Sequence, residues 1–213
     1  MSGTSDPPQA TTPPITLHAP YTTTPSTKTP PSSVASPPAP APPSPAFLAG
    51  TWHVTHSTLP MWSSKRNVTI TYTPLEGSSP AKLDDLVEYA PASKPADTTK
   101  RSSVRGVDTL AQLPHGSGWA WDWRGKGLLK IASSRWEVLG YGDEEKGNQW
   151  VVTYFASTLF TPAGIDIYSR GAGGLRPETV GDIKSALQGL GGEGDGDGGG
   201  VVLLAEKLFE VPR

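Results

Sequence analysis

Cysteine is missing from all 213 residues, which removes disulfides, thiolate metal sites and cysteine nucleophiles together. Net charge is nearly missing too. Eighteen Lys and Arg against twenty Asp and Glu leave −2, so no bulk field would draw the chain to nucleic acid or to a membrane surface. No apolar run approaches membrane-spanning length. The opening Met1-Ser2-Gly3-Thr4-Ser5-Asp6-Pro7-Pro8 lacks the basic stretch followed by an apolar one that marks a secretory signal. These absences lead to the expectation of a soluble, cytoplasmic protein, in which Asn67-Val68-Thr69 starts a strand rather than marking a glycosylation site. Metal ligation is not expected either, because His53 and His56 stand three apart on a strand and so point to opposite faces. The glycine-rich run at 191–200 is acidic and lacks the Lys and Ser or Thr of a phosphate-binding loop. No cofactor is implied.

What is abundant is unevenly placed. Proline (23) and glycine (24) together exceed a fifth of the chain. Most prolines fall before Phe47, and many glycines fall after Arg170. Residues 1–46, built from Pro, Thr, Ser and Ala, cannot bury enough apolar surface to offset the entropy of ordering, which predicts a disordered tail with polyproline II character. Its stretch Pro37-Pro38-Ala39-Pro40-Ala41-Pro42-Pro43 offers, at most, weak contacts to protein modules with aromatic grooves. Residues 47–213 form the expected folded domain, with a helical extension at its C-terminus and a flexible Gly/Asp loop at 191–200.

Between Gly50 and Arg170 the hydrophobic period is two. Eight strand-like runs are predicted: Thr51 to Thr58, Asn67 to Leu75, Leu83 to Ala90, Lys100 to Leu110, Ser117 to Arg124, Leu128 to Gly140, Gln149 to Ser157 and Ala163 to Arg170. Gly- and Pro-containing turns separate them. Short connections imply antiparallel neighbours, and eight such strands suffice to close an up-and-down barrel. Pro177 and Glu178 then open a helix whose Val180, Ile183, Leu187 and Leu190 share one stripe. Residues 201–211 read as a second short helix or a ninth strand. Both helices are expected outside the barrel.

Gly50-Thr51-Trp52, opening the first strand after the apolar stub Phe47-Leu48, resembles the Gly-x-Trp signature of lipocalins and related calycins. Arg170 stands where that superfamily carries an arginine packed over the tryptophan, and a helix follows it. More narrowly, the chain is similar to lipocalin-like barrel proteins of filamentous fungi. The resemblance spans residues 47–190. It implies an eight-stranded barrel with Trp52 and Arg170 as a structural latch at its closed base. Secreted lipocalins carry disulfides and a signal peptide, so relatives without either are the better comparison.

In such a barrel the odd strands run from base to mouth. The mouth then falls to the loops Leu59 to Arg66, Pro91 to Thr99, Arg124 to Gly127 and Thr158 to Pro162. Trp62 and Phe160 would cap a cavity there or pack on the rim. Lys65, Arg66, Arg124 and Lys126 would make the rim cationic, suiting an amphipathic acid, or be solvated loop charges. Strand parity from Trp52 places Val54 and His56 inside, with Tyr72, Trp121, Trp123, Trp136 and Tyr154 on inward faces. His56 is the best candidate for a general acid or base, the plainer alternative being a satisfied hydrogen-bonding residue. The leading expectation is binding of a hydrophobic or amphipathic small molecule. The alternatives are a cofactor-independent isomerase or cyclase of secondary metabolism on the same barrel, and a scaffold acting through its Pro-rich tail. A cavity with His56 on its wall would favour the enzyme; an all-apolar wall would favour carriage.

Overall fold

Alternation of apolar and polar side chains commits one face of each strand to a common interior, and antiparallel pairing with short turns brings consecutive strands together. The computed structural model describes residues 14–21, 40–114, 116–144, 147–159, 161–190 and 198–213. A four-residue helix, α1 (Pro45–Leu48), leads into β1 (Gly50–Ser57), β2 (Lys65–Pro74), β3 (Lys82–Pro91), β4 (Ser102–Leu110), β5 (Ala120–Gly125), β6 (Ser133–Asp143), β7 (Gln149–Phe155) and β8 (Gly164–Ser169). These eight pair in sequence order, and β1 joins both β2 and β8, closing an antiparallel barrel. The expected β6 begins later than its apolar content suggested, because Gly127–Leu129 folds as a 3-10 turn, and β5 begins later because residues 116–119 form a turn.

Two helices follow outside the barrel. α2 (Pro177–Gly189) starts on proline, whose missing N–H costs nothing in a first helical turn. α3 (Gly198–Ala205) comes next, and β9 (Phe209–Glu210) ends the fold. The segment 201–211 is therefore helix first and strand afterwards. β1 and β2 pair only from Gly50 to His53; beyond that they splay, and β9 enters the gap beside His56 and Ser57. The Asn67 amide then donates to the Pro212 carbonyl at 2.8 Å.

Two cores result. Inside the barrel Trp52, Val54, Ile70, Tyr72, Trp121, Trp136, Val138, Val151 and Tyr168 pack together. Outside, Leu139, Trp150, Val152, Tyr154, Ile165 and Ile167 lie under Ile183 and Leu187 of α2 and Val201 and Ala205 of α3. The expected inward face of β7 is thus its outer one. Every residue of β8 is buried, as are the five central residues of β7, so alternation could not distinguish barrel interior from helix-covered exterior. Of the tail expected over residues 1–46, residues 1–13 and 22–39 lie outside the described residues. Residues 14–21 lie on the outer face of β6: the His18 amide donates to the Leu139 carbonyl at 3.0 Å, and the Tyr21 amide to Glu137 Oε1 at 2.8 Å. Ile15, Leu17, Pro20 and Tyr21 are what this stretch has to bury.

Candidate functional site

The two ends of the barrel differ. At the base, the Arg170 guanidinium carbon lies 3.6 Å from the centre of the Trp52 ring. Its N–H groups donate to the carbonyls of Phe47 (2.5 Å), Ala49 (2.7 Å) and Thr51 (3.1 Å). The Trp52 indole donates to the Leu48 carbonyl at 2.8 Å. Arg170 thus fastens α1 across the closed end, where a flat delocalised cation suits both an aromatic face and several carbonyls.

At the other end lies a cavity of about 1090 Å³. Its wall takes Ile70 and Tyr72 from β2, Asp85, Val87 and Tyr89 from β3, Trp123 from β5, Trp136 from β6, Phe155 from β7 and Asp166 from β8. The β1–β2 connection lays Leu59, Met61 and Trp62 along one side. Around the opening Leu128, Ile131 and Leu159 are almost fully exposed, with Met61 half so. Such a concentration of bare apolar side chains at one end is unusual on a soluble surface.

The interior is not apolar throughout. Asp85, Asp108 and Asp166 are all buried within the barrel, and each meets an indole. Trp136 Nε1 donates to Asp108 Oδ1 at 2.7 Å, and Trp62 Nε1 to Asp166 Oδ2 at 3.2 Å. The Trp123 indole is directed at Asp85. Ser57 Oγ adds a 2.5 Å bond to Asp166 Oδ1. Trp123 can reach this position because β4 presents Gly106 to it: a Cβ there would stand 2.1 Å from the indole nitrogen.

Burial moves all three acids upward, because an apolar interior penalises the charged form. Asp166 rises from 3.8 to about 7, although its bonds from Ser57 and Trp62 pull the other way. Asp85 also rises to about 7, by burial against the opposing Trp123 bond, with Asp84 adding repulsion. Asp108 rises well above its ordinary value through burial and then through the neighbouring Asp85. Burial likewise holds the hydroxyls of Tyr72 and Tyr168 neutral. Asp85 Oδ1 and Asp108 Oδ2 have no hydrogen-bond partner among the described residues.

Of the four cations expected at the rim, only Lys126 forms an ion pair among the described residues; Arg66 donates to the carbonyls of Lys94 (2.8 Å) and Arg213 (2.7 Å). Arg135 is held by both oxygens of Asp122 (2.7 and 2.9 Å), Lys126 pairs with Asp84, and Lys65 lies over the Tyr89 ring. Arg124 lines the opening and is exposed.

Of the side chains singled out from sequence, the fold brings Trp62, Tyr72, Trp123, Arg124 and Trp136 to the cavity wall. Trp121 lies beneath it, fully buried and stacked on Trp136 at 6.0 Å. Lys126 points away to Asp84, and Phe160 lies outside the described residues. Tyr154 is under the helices. His56 is also outside the barrel. A bulge between Val54 and His56 shifts the register against β8, so Ser57 takes the inward position that simple alternation assigned to His56. Burial and the nearby Lys184 lower the His56 pKa, leaving it a neutral ring on the helix-covered side.

The three aspartates are what sequence reasoning missed. Two were legible: Asp85 stands in phase with Leu83, Val87 and Tyr89, and Asp108 with Val104 and Leu110, so each falls on an apolar face. Asp166, between Ile165 and Ile167, reads as the polar outward position and gives no such signal.

No family profile matches the chain, and no curated protein matches it in sequence. Solved structures do match. Insecticyanin from the tobacco hornworm Manduca sexta superposes with a TM-score of 0.51 over 78% of each chain, at 13% identity. H1 crustacyanin from the lobster Homarus americanus gives 0.49 over 78% of this chain and 76% of that one, at 13% identity. The siderocalin Ex-FABP gives 0.43 over 67% and 85%, at 14% identity. At such identities the likeness concerns the fold alone. The barrel is of the lipocalin type.

Proposed function

We propose that this chain binds a hydrophobic or amphipathic small molecule in the mouth of its barrel. The observation that carries the proposal is the open cavity of about 1090 Å³, lined by aromatic side chains and set opposite the latched base. Its size is at the upper end for small-molecule sites, and a few polar groups within an apolar lining are what such sites use for orientation. A scaffold acting only through its tail would leave this cavity without a role. The fold itself does not choose among these activities.

Titration with N-phenyl-1-naphthylamine, a neutral probe that brightens in apolar surroundings, tests the proposal. Saturable binding of one probe per chain is expected. Val87→Trp, which fills the cavity from β3, should abolish it, and His56→Ala should leave it unchanged. No saturation, or equal binding by Val87→Trp, would refute it. Mass spectrometry of molecules carried through native purification would then name the class of ligand.

A second reading keeps one supporting observation. Asp85 and Asp166 stand on the cavity wall near neutrality, where a carboxyl can both give and take a proton. They support cofactor-independent isomerisation better than His56 does, since His56 is not in the cavity. Enolisable ketones soaked in deuterated buffer would acquire deuterium under that reading and remain unlabelled without it.

A further inference from the structure

Charge is distributed against depth in this cavity. The arginines of the wall stand at its opening, and one of them, Arg135, is already occupied by Asp122. The carboxyls of Asp85 and Asp166 lie below, in the buried part. Among the described residues, no Lys, Arg or His forms an ion pair with Asp85, Asp108 or Asp166. Asp85 is 6% exposed, lines the cavity, and keeps Oδ1 without a hydrogen-bond partner. Buried carboxyls are ordinarily satisfied by a cation or by several donors. Here one indole approaches each of Asp85 and Asp108, and the second oxygen is left open.

The missing partner is a donor that arrives from the cavity. A metal ion is a poor fit, since no group of three or more carboxylate or imidazole side chains among the described residues could hold one. An organic ammonium fits better. Trp62, Trp123, Trp136, Tyr72 and Tyr89 line the same cavity as Asp85, and aromatic rings attract a cation while accommodating its hydrocarbon part.

We propose that the ligand is an amine: its protonated nitrogen binds at Asp85, and its apolar body lies against Trp62, Trp123 and Trp136. This assignment rests on the small-molecule reading above and narrows it, replacing the amphipathic acid that a basic rim suggests. Burial raises the Asp85 pKa to about 7 in the free protein, and the charge of an arriving cation offsets that penalty, so the carboxylate forms with its partner.

Calorimetry with three probes that differ only at the head tests it: 2-naphthylmethylamine, 2-naphthylmethanol and 2-naphthylacetate, at pH 7 and physiological salt. The amine should bind at least tenfold more tightly than the alcohol, and the carboxylate most weakly. Asp85→Asn, nearly identical in shape, should lower amine affinity tenfold or more and leave alcohol affinity within twofold. Equal binding of all three, or a preference for the carboxylate, would overturn the amine assignment while leaving the small-molecule reading standing. An amine preference that survives Asp85→Asn would overturn the role of Asp85. Absence of binding by all three and by N-phenyl-1-naphthylamine would overturn both readings. The comparison of head groups on the unaltered protein decides the question even if Asp85→Asn fails to fold.

Discussion

Replacing Asp166 with asparagine should change how the stability of this protein depends on pH, in the direction opposite to that of an ordinary carboxylate. Asp166 is fully buried inside the barrel and takes hydrogen bonds from Ser57 and Trp62. Those two donors do not offset its desolvation, and its pKa rises from 3.8 to about 7. The folded state therefore holds this proton more tightly than the unfolded state does. Below pH 4 both states carry the proton, and the advantage is complete. Between pH 4 and 7 the unfolded chain releases it and the folded chain keeps it, so stability falls as pH rises. Above 7 both states are ionised and the loss levels off. The difference between 3.8 and about 7 corresponds to about 4 kcal/mol at 1.36 kcal/mol per pH unit. Asparagine cannot titrate, and it still offers an acceptor to the Trp62 indole. Urea unfolding followed by tryptophan fluorescence, for both proteins from pH 4 to 8.5, isolates this group, because contributions from other residues cancel in the difference. Wild type minus Asp166→Asn should fall by about 4 kcal/mol across that range. A difference constant to within about 1 kcal/mol would mean that Asp166 is solvated and the reasoning about its burial is wrong.

Two further perturbations address the base and the wall. Arg170→Ala removes the donor to three carbonyls and the cation over Trp52; since the site is only half-buried, the net loss should be about 3 kcal/mol, a melting point lower by roughly 6–12 °C. Arg170→Lys, with one point charge in place of a fork, should recover less than half of it in the same thermal melt, and an unchanged melting point for Arg170→Ala would remove the latch. Gly106→Ala places a Cβ 2.1 Å from Trp123 Nε1, so Trp123 must leave Asp85. Destabilisation of about 1–3 kcal/mol is expected, along with a changed near-ultraviolet circular dichroism spectrum, and an unaltered spectrum would show that the indole is not held there.

The barrel was legible because its determinants are local. Each run of period two, ended by Gly or Pro, defines a strand, and short turns leave each strand no neighbour but the next. The strand boundaries moved by a few residues, most where Leu128 and Leu129 supplied apolar content to a 3-10 turn. The mouth loops also followed from counting strands, which is why Trp62, Trp123, Arg124 and Trp136 could be placed near one another without coordinates. Parity failed where its premise failed. It assumes that one face of a strand meets solvent, and β7 and β8 meet two cores, one on each side. It also assumes an unbroken ladder, and the bulge after Val54 exchanges His56 for Ser57.

The sequence by itself determined the eight strands of the barrel, their antiparallel order, and the meeting of Trp52 with Arg170 at one end. All of these depend on spacing along the chain, which the residues carry directly. Only the tertiary structure decided what fills the interior. Pairing Asp85, Asp108 and Asp166 with Trp123, Trp136 and Trp62 joins residues 38, 28 and 104 positions apart, and no local pattern encodes such distances. The pairing depends on closure of the barrel, on the bare backbone of Gly106 and on the fold of the β1–β2 connection. Closure also removes the water that would otherwise stabilise the ionised form, and so makes three ordinary aspartates hold their protons to higher pH, two of them on the wall of a cavity.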